Sequence, residues 1–591
     1  MPNENKSRRK LIIMLAVALL VILMGNLMAY MTQTDWGNVE VRDVRFEGTN
    51  GLTMSALLYV PKDVTAENPA PGILAIHGYI NSRETQDSFA IEFARRGYVV
   101  LAIDQTGHGY SDPPAFENFF GGPDGLRYLR SLDIVDKDNI GLEGHSMGGW
   151  SSIFAAKEFP DGYKAVVLEG SGIGSITSTF PRNLGVVLSE WDEYSQGMWG
   201  TPVAKDAVKG AQLKKAFATE NDVVVGKLYG SIEDGTARKF YQPRTTHPGD
   251  HISPAAIGDA VDWFQATLQG GKPLPPSDQI WHWKEIGNLI ALIGMILLLF
   301  SVGALLLRCR FFKGLEEAPA KPKSAKGIAW WISAIIFVVI PPLTYFPFKE
   351  YATKFKIAPN LIFPQAITAQ LLVWLLLVAI IAVVLFLIWH FAFNRKAKAT
   401  ASDYGLAWGK KLDWVKIGKS FLLAFIVAFA GYLTLVLSAW IFTVDYRFWV
   451  FAVKPMSTIH FRSFVSYLIP FILFFIAIGT VLHGQLRPTG RRGTELSQGS
   501  EMAINVALLV LGFVGLLLYQ YIPLLMGGTL ALRSEILFSI IAIQLLPIMT
   551  IVALAYTYFY RKTGHIYVGA FLCAMLVTWI LVASQVTNIA L

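Results

Sequence analysis

Ile140-Gly-Leu-Glu-Gly-His-Ser146-Met-Gly-Gly-Trp150 sets a serine between glycines where a short apolar run gives way to a helix-forming stretch. Ile140–Glu143 is predicted as a strand, and the residues after Ser146 as a helix running to about Phe159. A Gly-x-Ser-x-Gly pentapeptide between strand and helix is the setting of a nucleophile elbow. The turn is tight, so glycines on both sides let the two backbones approach and leave the hydroxyl exposed. A lone pentapeptide of this kind arises by chance, and a glycine-rich helix N-cap would read the same. The neighbouring segments therefore carry the decision.

Working outward, Val39–Phe46 and Leu52–Val60 are β-like runs around a Gly/Asn turn. Gly72–Gly78 reads as a buried strand ending in glycine. Thr85–Arg96 reads as a helix, Tyr98–Asp104 as a strand, Pro123–Leu132 as a helix and Lys164–Leu168 as a strand. Strands alternating with helices predict a mostly parallel sheet with helices on both faces.

Three motifs then recur in order: His77-Gly-Tyr79, Asp104-Gln-Thr-Gly-His-Gly-Tyr-Ser111 and Gly144–Gly148. Together with the opening Phe46–Pro61 they resemble the α/β-hydrolase superfamily, in its serine esterase, dienelactone hydrolase and acyl-peptidase branches. The resemblance covers about residues 39–270. It implies an α/β-hydrolase fold, Ser146 as nucleophile, and the backbone amides of Tyr79 and Met147 as the oxyanion hole. Two fixed N–H donors there would stabilise the charge that develops on a tetrahedral intermediate. It also implies that His108 braces its loop rather than acting as a base.

The general base is expected late in the chain. His247 and His251 compete in Thr245-Thr-His-Pro-Gly-Asp-His-Ile-Ser253. Ser253-Pro254 reads as a helix start, and the resemblance puts the base just before the closing helix, so His251 is preferred. His247 is then a bracing residue or a substrate contact. For the acid, Asp222 and Asp234 stand open. A strand at Leu213–Ala218 would leave room for a crossover before a last strand at Thr236–Gln242, which favours Asp222. Asp234 sits in a turn that would make an antiparallel hairpin, and Glu169 is the outsider. Residues 171–212 are read as a cap insertion with an apolar face.

The rest of the chain changes character. Of 591 residues, 53% are hydrophobic and 16% charged, and mean hydropathy is +0.44. Residues 1–35 read as a signal-anchor helix, 36–280 as the hydrolase-like domain, and 281–591 as a transmembrane domain of about eight helices. Arg308-Cys-Arg310, Arg395–Lys398, Arg491-Arg492 and Arg561-Lys562 fall on the same side as Lys6–Lys10. The positive-inside rule then puts the N-terminus in the cytoplasm of a multi-pass cell-membrane protein. It puts residues 36–280 and the C-terminus outside. The net charge of +8 is absorbed by these loops, and no basic stripe suggests nucleic acid. Asn505 and Gln544 read as helix–helix glue.

The expectation is a membrane-bound serine hydrolase with a Ser-His-Asp triad, acting on an acyl ester or lipid-like substrate near the bilayer, with no metal or organic cofactor. Peptidase or acyltransferase chemistry would use the same residues. A non-catalytic ligand-binding or transport-associated protein is the alternative from another class.

Overall fold

The computed structural model describes residues 2–490 and 494–591; the expectation for Arg491-Arg492 lies outside them. Helix α1 (Pro2–Gln33) leads into strands β1 (Val39–Glu47), β2 (Thr53–Pro61) and β3 (Ala70–Ile76). Then come α2 (Asp87–Arg95), β4 (Val99–Ile103), α3 (Gly122–Ser131), β5 (Val135–His145), α4 (Met147–Glu158) and β6 (Ala165–Glu169). The second half adds β7 (Leu184–Val187), α5 (Ser195–Trp199), α6 (Ala211–Ala216), β8 (Leu228–Tyr229), β9 (Arg238–Tyr241) and α7 (Pro254–Thr267).

The strands form one sheet in the order β1-β2-β4-β3-β5-β6-β7-β9-β8. The five neighbouring pairs from β4 to β9 are parallel, and β1, β2 and β8 join antiparallel at the edges. Ile73, Leu74, Ala75 and Ile76 of β3 are all fully buried. A continuous apolar strand is what a parallel sheet covered on both faces requires. Side chains on one face pack among α3 and α4, and those on the other among α2 and α7.

Two expectations fail here, for physical reasons. Residues 171–212 are not simply a cap, because they contain β7, an inner strand between β6 and β9. Gly185 of that strand has no side chain and so admits Trp263 of α7, where a Cβ would crowd the indole. Leu213–Ala218 is not a strand. Leu213, Ala216 and Phe217 are buried while Lys214 and Lys215 face outward, the i, i+3, i+4 spacing of the short helix α6.

After α7 the chain becomes helical: α8 (Trp281–Leu307), α9 (Ile328–Lys354), α10 (Ala366–Trp389) and α11 (Trp414–Phe442). A small hairpin follows, β10 (Tyr446–Phe448) and β11 (Phe451–Val453). It leads to α12 (Thr458–Thr480), α13 (Gln498–Leu525), α14 (Ile536–Thr563) and α15 (Tyr567–Ser584). Among the described residues, nine helices are long and apolar enough to cross a membrane. Helices α1 and α8 flank the sheet domain in sequence and pack tightly together. A Cβ at Gly25 would overlap the backbone of Gly287 and Ala291, so small residues set this crossing.

Candidate active site

The site forms at the carboxyl ends of the parallel strands, where an open α/β sheet offers a crevice to a ligand. Ser146 sits between β5 and α4 with φ 54° and ψ −120°. Positive φ is strained for a residue with a side chain, and surrounding bonds must hold it. The Ser146 N–H donates to the Glu169 carbonyl at 2.9 Å, and the Ser171 hydroxyl donates to the Ser146 carbonyl at 2.6 Å. Glycine is required at the next turn: a Cβ at Gly148 would overlap the carbonyl oxygen of Ile76 on β3. Met147 opens α4, where the first N–H groups have no partner within the helix. Tyr79 and Ser146 line the same cavity.

Asp192 follows β7 and His247 follows β9. The two loops are stitched side by side, with Trp191 bridged to Thr246 and its N–H donating to the Thr245 carbonyl at 3.1 Å. The result is a buried pair: His247 Nδ1 lies 2.9 Å from Asp192 Oδ2. Asp192 is oriented by the Tyr194 N–H at 2.7 Å, and Glu193 accepts the His247 backbone N–H at 2.8 Å. Burial opposes charge on His247, but the Asp192, Glu193 and Asp250 carboxylates outweigh it and push its pKa up to about 9. Burial in turn pushes the Glu193 carboxyl up to about 7, with Asp192 adding to the shift.

His251 also lines the cavity, but both of its ring nitrogens are buried without a partner. Its ring packs against His145, with centroids 4.1 Å apart, and edge-on to Phe89. Burial, reinforced by His145, holds its pKa well below the usual histidine range. Asp222 and Asp234 are not brought to either histidine. The Asp222 side chain is 59% exposed and paired with Lys214 at 2.8 Å, and Asp234 is exposed in the turn before β9. Both carboxyl oxygens of Glu169 are buried and unbonded. His108 is buried with Nδ1 2.9 Å from the Thr106 carbonyl, a position that braces its own loop.

His145, His247 and Asp250 are the one group among the described residues whose ligand atoms lie close enough to share a metal ion. Hydrogen bonds within the protein account for most of these atoms. His145 Nε2 donates to the His247 carbonyl at 3.0 Å, His247 Nδ1 is committed to Asp192, and Ser189 donates to Asp250.

The sheet domain does not complete the cavity alone. Trp449 and Val450, from the turn between β10 and β11, line it with Leu537, Ile540 and Gln544 of α14. The Trp449 indole N–H donates to the Pro248 carbonyl beside His247 at 2.6 Å. Arg447 of β10 is buried between Asp445, at 2.7 Å from its Nε, and Glu84 of the sheet domain at 3.6 Å. Lys284 of α8 pairs with Asp87 of α2.

Sequence reading did not select Asp192, and set His247 second. The available signals were Leu-Gly-Val-Val187 as a β-rich run closely followed by an acid, and the earlier of two histidines. No local pattern marks Trp449, and Gln544 looked like helix glue.

Residues 71–220 match the family described as alpha/beta hydrolase fold. The chain is similar to dipeptidyl peptidase 8 of Mus musculus and of Homo sapiens, 32% identical over 139 residues, which is 21% of this chain and 16% of theirs. It is similar to 2-(acetamidomethylene)succinate hydrolase of Mesorhizobium japonicum, 30% identical over 107 residues, 18% of this chain and 37% of that one. The chain thus spans well under half the length of these relatives. Among solved structures, the dienelactone hydrolase of Anabaena variabilis aligns at 18% identity over 39% of this chain and 100% of its own, with TM-score 0.27. An esterase of Pyrococcus furiosus aligns at 16% identity over 40% and 94%, with TM-score 0.29.

Proposed function

We propose, from the premise that residues 71–220 belong to the alpha/beta hydrolase fold family, that this protein is a membrane-bound serine hydrolase cleaving acyl esters through Ser146, His247 and Asp192. The observation that carries the reading is that His247, paired in the interior with Asp192, lines the cavity that exposes the strained Ser146.

In this mechanism the Ser146 hydroxyl attacks the acyl carbonyl and gives its proton to His247 Nε2. Asp192 holds Nδ1–H, fixing the tautomer and balancing the imidazolium. The Met147 and Tyr79 amides receive the oxyanion. His247 then protonates the leaving alcohol, and water attacks the acyl-enzyme by the reverse route.

The nine apolar helices and the basic loops support a multi-pass protein with its N-terminus in the cytoplasm and the hydrolase domain outside. The substrate is then an acyl ester or lipid-like molecule at the outer surface. The likeness to dipeptidyl peptidase 8 favours a second reading, a serine peptidase using the same triad.

The test is labelling of the full chain by a fluorophosphonate, with ester and dipeptide-amide hydrolysis measured beside it. Ser146→Ala should abolish labelling and lower turnover roughly 10⁴-fold or more. A wild type that neither labels nor hydrolyses sinks the enzyme reading. Cleavage of amides with esters untouched selects the peptidase. Protease accessibility of residues 36–280 in sealed cells tests the topology.

A further inference from the structure

The wall of the active-site cavity is built by two parts of the chain with different solvents, and their chemistry differs. From the sheet domain come Tyr79, Asn81, Ser146, His247 and His251. From the helical bundle come Trp449, whose indole N–H is bonded to Pro248, the aliphatic Val450, Leu537 and Ile540, and the single amide of Gln544. Gln544 lies more than two turns inside α14, a helix otherwise apolar through this region. Among the described residues its side chain has no hydrogen bond. A polar group at such a depth usually serves a ligand path or a partner helix. Asn505 takes the partner role, donating to Thr557 of α14 at 2.9 Å; Gln544 does not. Gln544 is half-buried, and across the cavity His251 is buried with both ring nitrogens unbonded. Two uncommitted polar side chains, one from each region, thus face one small space.

That space is about 70 Å³. An engineered apolar cavity that accepts benzene is roughly 150 Å³, and sites for drug-sized ligands run from about 300 Å³ upward. Larger cavities lie elsewhere: one of about 310 Å³ between α9, α10, α12 and α13 is lined without any residue of the sheet domain, and one of about 360 Å³, lined by Asp192, Glu193 and Tyr194 with Leu530, Arg533 and Ile536, does not include Ser146. The room beside Ser146 therefore suits a few heavy atoms.

The roof is held in place. The Trp449 indole is bonded to the Pro248 carbonyl, and the Trp449 N–H donates to Glu285 of α8 at 3.1 Å. Arg447 is buried against Asp445 and Glu84.

We propose that the transmembrane bundle forms the acyl-group wall of this active site. Leu537 and Ile540 of α14, with Val450, restrict the substrate to esters of short acyl groups, and Gln544 hydrogen-bonds the bound ester. The inference rests on the serine-hydrolase reading above, and adds a substrate class and a specificity role for the bundle. Leu537 and Ile540 set acyl length by occupying volume. Gln544 is a binding residue, because its amide has no other partner to satisfy.

The experiment uses the full chain in lipid nanodiscs with p-nitrophenyl acetate, butyrate, octanoate and palmitate. Wild type should show kcat/KM for octanoate at least tenfold below that for acetate. Ile540→Ala and Leu537→Ala should raise the octanoate-to-acetate ratio at least fivefold. Ile540→Phe should lower butyrate relative to acetate. Gln544→Leu should lower kcat/KM for acetate about tenfold while diisopropyl fluorophosphate still modifies Ser146. If the alanine variants do not accumulate, Ile540→Val and Leu537→Val ask the same question with less lost volume. Labelling and acetate hydrolysis by wild type, with a flat or long-chain-preferring profile that no roof variant moves, overturns this inference and leaves the hydrolase standing. An unchanged Gln544→Leu removes that residue from the site. Absence of labelling and of all hydrolysis overturns the underlying reading instead.

Discussion

The sheet domain and the helical bundle treat buried polar groups in opposite ways. The domain gathers a set of them at the carboxyl ends of β7 and β9, where Asp192, Glu193, Asp250 and His247 sit within one buried cluster. The bundle disperses them. Asn505 pairs with Thr557 between helices, and Asn26 donates to Ser438 at 2.6 Å. Of its buried charges, Lys284, Arg447 and Lys454 lie toward the domain, while Lys349 and Arg487 pair with Glu535 and Glu501 within the bundle. A bundle serving only as an anchor would have no need of such a face. Ion pairs and the Trp449 bond join the two regions where the candidate cavity beside Ser146 lies, so its lining is complete only at their boundary.

The sharpest way to break the comparison is to remove the proposed base. His247→Ala should lower ester turnover by roughly 10⁶-fold, as removal of a triad base does, whereas His251→Ala should cost far less. Equal losses would return the two histidines to an open contest. Asp192→Asn should lower kcat by roughly 10³- to 10⁴-fold. Asp222→Asn breaks only an exposed pair with Lys214 and should leave turnover within about twofold and stability within about 0.5 kcal/mol.

The boundary itself can be broken next. Arg447→Met leaves Asp445 without its buried partner and Glu84 with Arg83 alone. That should cost about 3–5 kcal/mol, read as a lower melting temperature of the whole protein and reduced labelling of Ser146. Melting unchanged from wild type would mean that the domain and bundle are not coupled through this pair.

The smallest effect is on pH. His247 acts as a base only when neutral, and the carboxylates hold its pKa at about 9. The second-order constant kcat/KM, which reports the free enzyme, should therefore rise with pH and level off above about 9. Asp192→Asn removes the leading carboxylate influence, so its residual activity should level off at lower pH. A wild-type profile already flat from neutral pH would show that the acidic cluster is largely protonated in the free enzyme.

The parallel order of the sheet was legible because Gly72–Gly78, Tyr98–Asp104 and Ile140–Glu143 are apolar runs separated by helical spacing. Ser146 was legible because a strand-to-helix turn of this tightness needs glycines at neighbouring positions. The nine long apolar runs were legible because a bilayer demands a minimum length of apolar helix. Asp192 was not, since β7 is only four residues long and sits among aromatic and turn residues that resembled a cap. Its place beside His247 follows from the pairing of β7 between β6 and β9, partners distant in the chain.

The amino-acid sequence by itself thus determined most of the elements, the strand-to-helix turn that carries Ser146 and the partition into a sheet domain and apolar helices. Those features depend on periodicity and on local backbone sterics. Tertiary structure alone decided which histidine meets a carboxylate, and that α14 and the β10–β11 turn close the cavity over Ser146. Those contacts join residues from separate loops and separate regions, and no local pattern encodes the distance between them.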